Sequence, residues 1–274
     1  MKIVRYATDS GPRYGSLNDD GTVYAVDGDI FGDHSIGSQV LPLGNLKLLA
    51  PVEPRTIVGV GMNYMAHIME TTGPSGTPQF PMTFLKPPTA IIGPEEDIVL
   101  PRGDQFRHAI NHPELQEEPF GEVHYEAEVV VVIGKECRNI EAPQALDYVL
   151  GYTCGNDISA RKLQFAEMKM GAILMGKGMD SFAPLGPCIN TDLDPTNLRV
   201  QSRVNGETKQ DSNTSDLLFS VASLVTYIAQ GVTLRPGDCI FSGTPAGIGA
   251  LSPGDTVEIE VDGVGVLRNP VTAA

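Results

Sequence analysis

The sequence contains no tryptophan, and aromatic residues make up only 6% of its 274 positions. That scarcity disfavours a surface that stacks nucleobases on aromatic rings. Positive charge is also short: 19 Lys and Arg stand against 34 Asp and Glu, a formal net charge of −15 at pH 7. Nucleic acids and anionic membrane surfaces both require clustered cations, so neither is expected as a partner. The longest aliphatic run, Val129 to Ile133, falls far below the roughly 20 residues of a spanning helix. The start, Met1-Lys2-Ile3-Val4-Arg5, shows no apolar signal core and no small-residue cleavage site. The cysteines (Cys137, Cys154, Cys188 and Cys239) are widely spaced, without a C-x-x-C pair. Reduced thiols and a cytoplasmic location are the expectation, a mitochondrial one staying open for a eukaryotic chain.

What is present suits a globular protein. Hydrophobic residues at 41%, with mean hydropathy −0.05, are enough to bury a sizeable core. Short apolar strands alternate with turn residues through 1–50: Ile3–Tyr6, Tyr14–Leu17 and Val23–Val26. Pro51-Val52-Glu53-Pro54 reads as a stiff linker, which divides the chain into a small β-rich domain, 1–52, and a larger domain, 53–274. In the larger part, strand signals cover Thr56–Val60, Ala90–Ile92, Glu128–Ile133, Asp147–Thr153, Asp238–Ser242 and Thr256–Val261. The last continues through Asp262-Gly263 into Val264–Leu267, a hairpin pattern. Helical spacing is expected from Asp216 to Ala229, capped by Ser215, and over Ser159–Met170. Residues 102–123 are polar, with Pro113 and Pro119, and read as a surface excursion. The fold class is therefore mainly β with some α, and no sustained β-α alternation points to a doubly wound sheet.

Three familiar motifs fail. Gly59-x-Gly61 lacks the third glycine of a dinucleotide fingerprint, because Tyr64 stands there. Gly171 to Lys177 matches seven positions of a phosphate loop, but Gly178 replaces the Ser or Thr that would reach magnesium. His108 and His112 have zinc-like i, i+4 spacing, yet Pro113 follows and no Glu stands at 109, so they read as loop histidines.

The carboxylates are more telling. Glu126 and Glu128 stand two apart at the head of an apolar strand, so their side chains share one face. Burying unpaired carboxylates is costly, and hard oxygen ligands on a rigid strand suit magnesium or manganese. The alternative is an exposed strand edge with both acids in water. Asp157, at a strand-to-helix junction, either caps the helix or completes a three-carboxylate site. Arg161 and Gln164, three apart on one helical face, either line a pocket for an acidic substrate or form a routine surface pair.

Five motifs occur in order: Gly59-Val60-Gly61-Met62-Asn63-Tyr64-Met65-Ala66-His67, Phe84-Leu85-Lys86-Pro87, Tyr125-Glu126-Ala127-Glu128, Asn156-Asp157-Ile158-Ser159-Ala160-Arg161 and Ser242-Gly243-Thr244-Pro245-Ala246-Gly247-Ile248-Gly249. Together they resemble the fumarylacetoacetate hydrolase family over about 57–270, and residues 1–50 resemble the small N-terminal domain of its longer bacterial and fungal members. The resemblance implies a mixed β-roll or sandwich with the site at its mouth, usually in a homodimer. It implies Mg²⁺ or Mn²⁺ at Glu126, Glu128 and Asp157, and 2-oxo acid substrates such as acylpyruvates or oxaloacetate. Such substrates chelate the ion through the carboxylate and 2-oxo group, which stabilises an enolate after C–C cleavage or decarboxylation.

In the same pattern Lys177 neutralises the developing charge, while His67 and Glu70 form a lid pair that activates water. Lys86, Arg161, Gln164, Gly243 and Thr244 fall at the substrate. His124 stands where many members carry Asp. The expected activity is metal-dependent C–C bond cleavage of a 2,4-dioxo acid, as acylpyruvate hydrolase or oxaloacetate decarboxylase. The alternative is a tautomerase or isomerase of a 2-oxo acid at the same site.

Overall fold

The computed structural model describes residues 1–73, 76–106 and 122–274. His108 and His112, with most of the 102–123 excursion, lie outside the described residues. Among the described residues the architecture is mainly β, built on one sheet of 12 strands. Its centre is Ala127–Ile133, paired antiparallel with Val149–Asn156 on one side and Cys239–Phe241 on the other. Val129, Val131 and Ile133 enter one core cluster, and Val130 and Val132 enter another. The run of β-branched residues is thus a strand buried on both faces.

Beyond Cys239–Phe241 the sheet continues to Ile57–Gly61 and ends at Met82–Lys86. In the other direction Ala183–Asn190 pairs with Lys2–Tyr6, so the N-terminal strands extend the same sheet. A second sheet of 5 strands packs over the first core, bringing in Val200, Val257, Ile259 and Leu267. A third sheet has 3 short strands, Val123–Tyr125 between Ser159–Ala160 and Gly249–Ala250.

Four α-helices are described: α1 Met65–Thr72, α2 Arg161–Met168, α3 Leu174–Lys177 and α4 Val221–Gly231. Tertiary contacts shift several elements from their sequence-predicted bounds. Ser159 and Ala160 pair across to His124 and Val123, which delays α2 to Arg161 and leaves Ala160, not Asp157, as its cap residue. Helix α4 starts at Val221 under a Ser220 cap rather than at Asp216, because Asn63 holds Leu218 and Phe219 extended with bonds of 2.9 and 2.8 Å. Asp147 belongs to a 3₁₀ turn, Ala142–Tyr148, with Pro143 near its start, and the strand follows at Val149–Asn156. The hairpin closes one residue later than expected, with Val261 opposite Gly265.

Candidate metal centre and cavity

Glu126 falls between two ladders: Val123–Tyr125 belongs to the small sheet and Ala127–Ile133 to the large one. Its N–H donates to Asn156 Oδ1 at 2.9 Å and its carbonyl accepts Asp157 N–H at 2.9 Å. That crossing places Asp157 beside Glu126, while Glu128, opposite Gly155, is carried on the rigid central strand. The three carboxyl groups are 3%, 1% and 1% exposed for Glu126, Glu128 and Asp157. One oxygen from each lies within 4.8 Å of the other two.

Three buried cations surround this cluster. Lys177 Nζ donates to Glu126 Oε2 and Asp157 Oδ2, both at 2.7 Å. Arg161 Nη2 donates to Glu126 Oε1, and Lys86 Nζ donates to Asp157 Oδ1 at 2.5 Å. Burial favours the neutral acid at Glu126, but Lys177, Arg161 and His67 outweigh it and hold the carboxyl well below its ordinary range. Burial also disfavours charge on Lys177, yet Asp157 and Glu126 keep its ammonium above the usual lysine value. At Lys86 burial prevails over Asp157 and lowers the value.

Glu128 differs from its neighbours. Its described hydrogen bond comes from Gly243 N–H, at 2.7 Å to Oε2. Burial pushes its carboxyl well above the normal range, with Asp157 and Glu126 pushing the same way. An acid so placed needs a further positive charge to remain ionised. Three hard oxygen donors around one point supply the ligand chemistry of magnesium or manganese, so the residues fit a divalent ion.

The cluster borders a cavity of about 570 Å³. Glu126, Arg161, Gln164, Lys177 and His67 line one end of it. Arg161 Nη1 donates to Gln164 Oε1 at 2.7 Å, so the pair on α2 is buried rather than solvated. Lys177 reaches this wall from α3, where Gly176 lies against Gln164. A Cβ at Gly176 would stand 2.5 Å from Gln164 Cα, so a larger residue would push the two helices apart.

His67 and Glu70 sit on α1. His67 is buried, whereas Glu70 Oε1 and Oε2 accept Gly247 N–H at 3.0 and 3.2 Å. The His67 Nδ1 to Glu70 Oε2 distance is 3.6 Å, beyond a hydrogen bond. Burial lowers the His67 pKa, with Arg161 and Lys177 adding to it against the opposing Glu126 and Glu70.

Lys86, Gly243 and Thr244 all lie at the carboxylate cluster. Lys86 is buried behind Asp157 and donates to the Lys177 carbonyl. Thr244 Oγ1 donates to Ala127 O at 2.9 Å and accepts from Gln210 Nε2 at 2.7 Å. Gly243 has φ +105° and a Cβ there would stand 2.7 Å from Asn63 Cβ, so glycine lets its N–H reach Glu128. Lys86 and Gly243 thereby secure Asp157 and Glu128, and Thr244 ties the turn to the backbone of Ala127.

Three further residues of the site escaped sequence reasoning. Asn63 Nδ2 donates to Ser242 O at 2.7 Å and fixes the turn that carries Gly243. Asn156 holds Glu126, as described. Gln210 Oε1 accepts Ala127 N–H at 3.0 Å. Asn63 and Asn156 stand inside the motifs, which was a usable signal. Gln210, on Glu207–Asn213, has no local signal.

The β-rich fold thus carries a buried three-carboxylate cluster, with the ligand chemistry of a divalent ion, beside a cavity. The model "Fumarylacetoacetate (FAA) hydrolase C-terminal" matches residues 56–272, and "Rv2993c-like, N-terminal" matches residues 1–51. The chain belongs to the fumarylacetoacetate hydrolase family. It is 41% identical to the mitochondrial oxaloacetate tautomerase FAHD2A of Bos taurus, over 85% of this chain and 71% of that one. A 5-carboxymethyl-2-hydroxymuconate delta-isomerase from Mycobacterium smegmatis superposes with TM-score 0.85 at 39% identity, covering 100% of both chains. A maleylpyruvate hydrolase from Sphingobium sp. SYK-6, in complex with manganese(II) and pyruvate, gives TM-score 0.76 at 28% identity, again over 100% of both. Among the described residues no helix is long and apolar enough to cross a membrane.

Proposed function

We propose that the protein is a divalent-metal-dependent enzyme that interconverts the keto and enol forms of 2-oxo acids. Magnesium or manganese would be held by Glu126, Glu128 and Asp157. The observation that carries this reading is the three-carboxylate cluster bordering a cavity that also presents His67, Arg161 and Lys177. Bound there, a divalent ion would polarise a 2-oxo group as a Lewis acid.

The remaining chemistry belongs to the chain. Arg161 Nε is buried and has no partner among the described residues, which leaves a donor for the substrate carboxylate. Lys177 neutralises negative charge developing on the oxo oxygen. The His67 imidazole takes the proton from the carbon beside the oxo group. That C–H electron pair becomes the new C–C double bond, and the carbonyl π pair moves to oxygen. Return of the proton to oxygen completes the enol.

Glu70, engaged by Gly247 N–H, does not hydrogen-bond His67. A lone imidazole suits proton transfer better than water activation, and the tautomerase and isomerase relatives support the same net reaction. A second reading, C–C cleavage by hydrolysis or decarboxylation, rests on the 3.6 Å separation of His67 Nδ1 and Glu70 Oε2, which a side-chain rotation would close. An assay with Mg²⁺ or Mn²⁺ on oxaloacetate and acylpyruvates separates them. Enol absorbance is expected to change without stoichiometric pyruvate; pyruvate released in step with enol loss establishes cleavage. No turnover in metal-loaded protein overturns both.

The same assay reads His67. Its depressed pKa keeps the imidazole neutral as pH falls through the ordinary histidine value of 6.5. The acid limb of kcat/KM is therefore expected below 6.5, and a limb at or above that value removes His67 as the base.

A homodimer is proposed through the edge strand Met82–Lys86. Leu85, Tyr227 and Val232 are 61%, 42% and 45% exposed around one groove there. Sedimentation equilibrium showing a monomer at micromolar concentration would remove this proposal.

A further inference from the structure

Away from the charged end, the cavity wall changes character. Met62, Met82, Phe84, Phe165, Met168 and Ile173 form it. The aromatic rings begin where the cations end: Phe84 lies 5.4 Å from Lys177 Nζ, and Phe165 lies 5.9 Å from Arg161 Cζ. Two hydroxyls on this wall already have partners. Thr71 Oγ1 donates to His67 O at 2.8 Å, and Thr72 Oγ1 donates to Ile68 O at 3.1 Å. Among the described residues Lys169 is the cation on this side, and it is exposed.

A second carboxylate on the substrate would therefore lose water against thioethers and rings, which is unfavourable. Pairing with an exposed lysine returns little. Methylenes or a ring gain by burial against the same wall. The volume of about 570 Å³ also exceeds what a four-carbon oxo acid fills, and lies within the range of larger organic ligands.

We infer that this site takes 2-oxo acids carrying an extended apolar substituent, with the carboxylate and oxo group at the Arg161–Lys177 end and the tail along Met62, Met82, Met168 and Ile173. Short dicarboxylates such as oxaloacetate are poor fits. The inference rests on the 2-oxo acid reading of the same cavity and specifies its substrate class.

The test is a series of acetyl-, butanoyl-, hexanoyl- and benzoylpyruvate, with oxaloacetate and succinylpyruvate, assayed in the presence of Mn²⁺. Each buried methylene is worth about fourfold. Accordingly kcat/KM is expected to rise at least about tenfold from acetyl- to hexanoylpyruvate and to exceed that for oxaloacetate. Ile173→Asp, which puts charge on the tail wall, should reduce the hexanoyl-to-acetyl ratio at least about tenfold. Ile173→Thr serves if that variant fails to fold. A flat series, or oxaloacetate or succinylpyruvate at or above hexanoylpyruvate, overturns the inference while leaving 2-oxo acid turnover standing. If Lys169→Met abolishes such a dicarboxylate preference, the anchor is the lysine and the apolar tail is likewise rejected. No turnover of any member by metal-loaded protein removes the 2-oxo acid reading itself.

Discussion

Glu126→Ala is expected to abolish metal uptake and turnover together and to lower stability sharply. The loss of activity should reach about 10³-fold or more, since a Lewis-acid site contributes several kcal/mol to catalysis. Stability should fall by about 3–5 kcal/mol, because removing one member of a buried ion pair strands the others. Here Lys177 loses its bond to Oε2 and Arg161 its bond to Oε1, and both cations stay buried. Melting temperature reports the stability term, and metal titration by calorimetry reports uptake. Glu126→Gln preserves shape and separates the two effects if the alanine variant does not fold. Retained turnover in protein stripped of metal would falsify the metal-dependent reading.

Saturating manganese should stabilise the wild-type protein, and Glu128→Gln should remove that response while stabilising the metal-free protein. At a free ion concentration 100 times Kd, a ligand of the folded state contributes about 2.7 kcal/mol. That corresponds to a rise in Tm of roughly 5–10 °C. Glu128 faces Glu126 and Asp157 with Gly243 N–H as its described donor, so a neutral amide relieves repulsion. The gain is expected on the order of 1 kcal/mol. Asp157→Asn should do the opposite, because Asp157 balances Lys86 and Lys177.

The pH dependence of this effect has a definite sign. Burial raises the folded-state value of Glu128 above the unfolded one, so its favourable contribution is complete below about 4.3 and is lost as pH rises through the folded value. Metal-free wild type should lose stability over that rise relative to Glu128→Gln. Differential scanning calorimetry across pH, with and without Mn²⁺, decides it.

Much of the large domain was legible because its signals are local. The valine run after Glu128 has the composition of a strand covered on both sides, and its two faces do enter two core clusters. The helix starts were less legible because distant residues compete for the backbone. Asn63 holds Leu218 and Phe219, and Val123–His124 pairs with Ser159–Ala160, and neither partner is close in sequence. The motif places Lys86 at the site, but only the tertiary structure shows that its ammonium lies on Asp157. Gly243 and Thr244 likewise stand at the site but face inward, onto Glu128 and Ala127.

The excess of negative charge changes meaning in the same way. By itself the sequence determined that few cations were available, that Glu126 and Glu128 share a strand region, and that Asp157 stands at a strand end. Composition and two-residue periodicity suffice for that. Tertiary structure alone decided how the cluster is balanced: Lys86, Arg161 and Lys177 converge from three separate segments on Glu126 and Asp157. Among the described residues Glu128 has no comparable cation. The physical reason is that charge compensation in a low-dielectric interior depends on distances of a few ångströms. Those distances are set by sheet register and helix packing between residues as far as 71 positions apart in these ion pairs, as at Lys86 and Asp157.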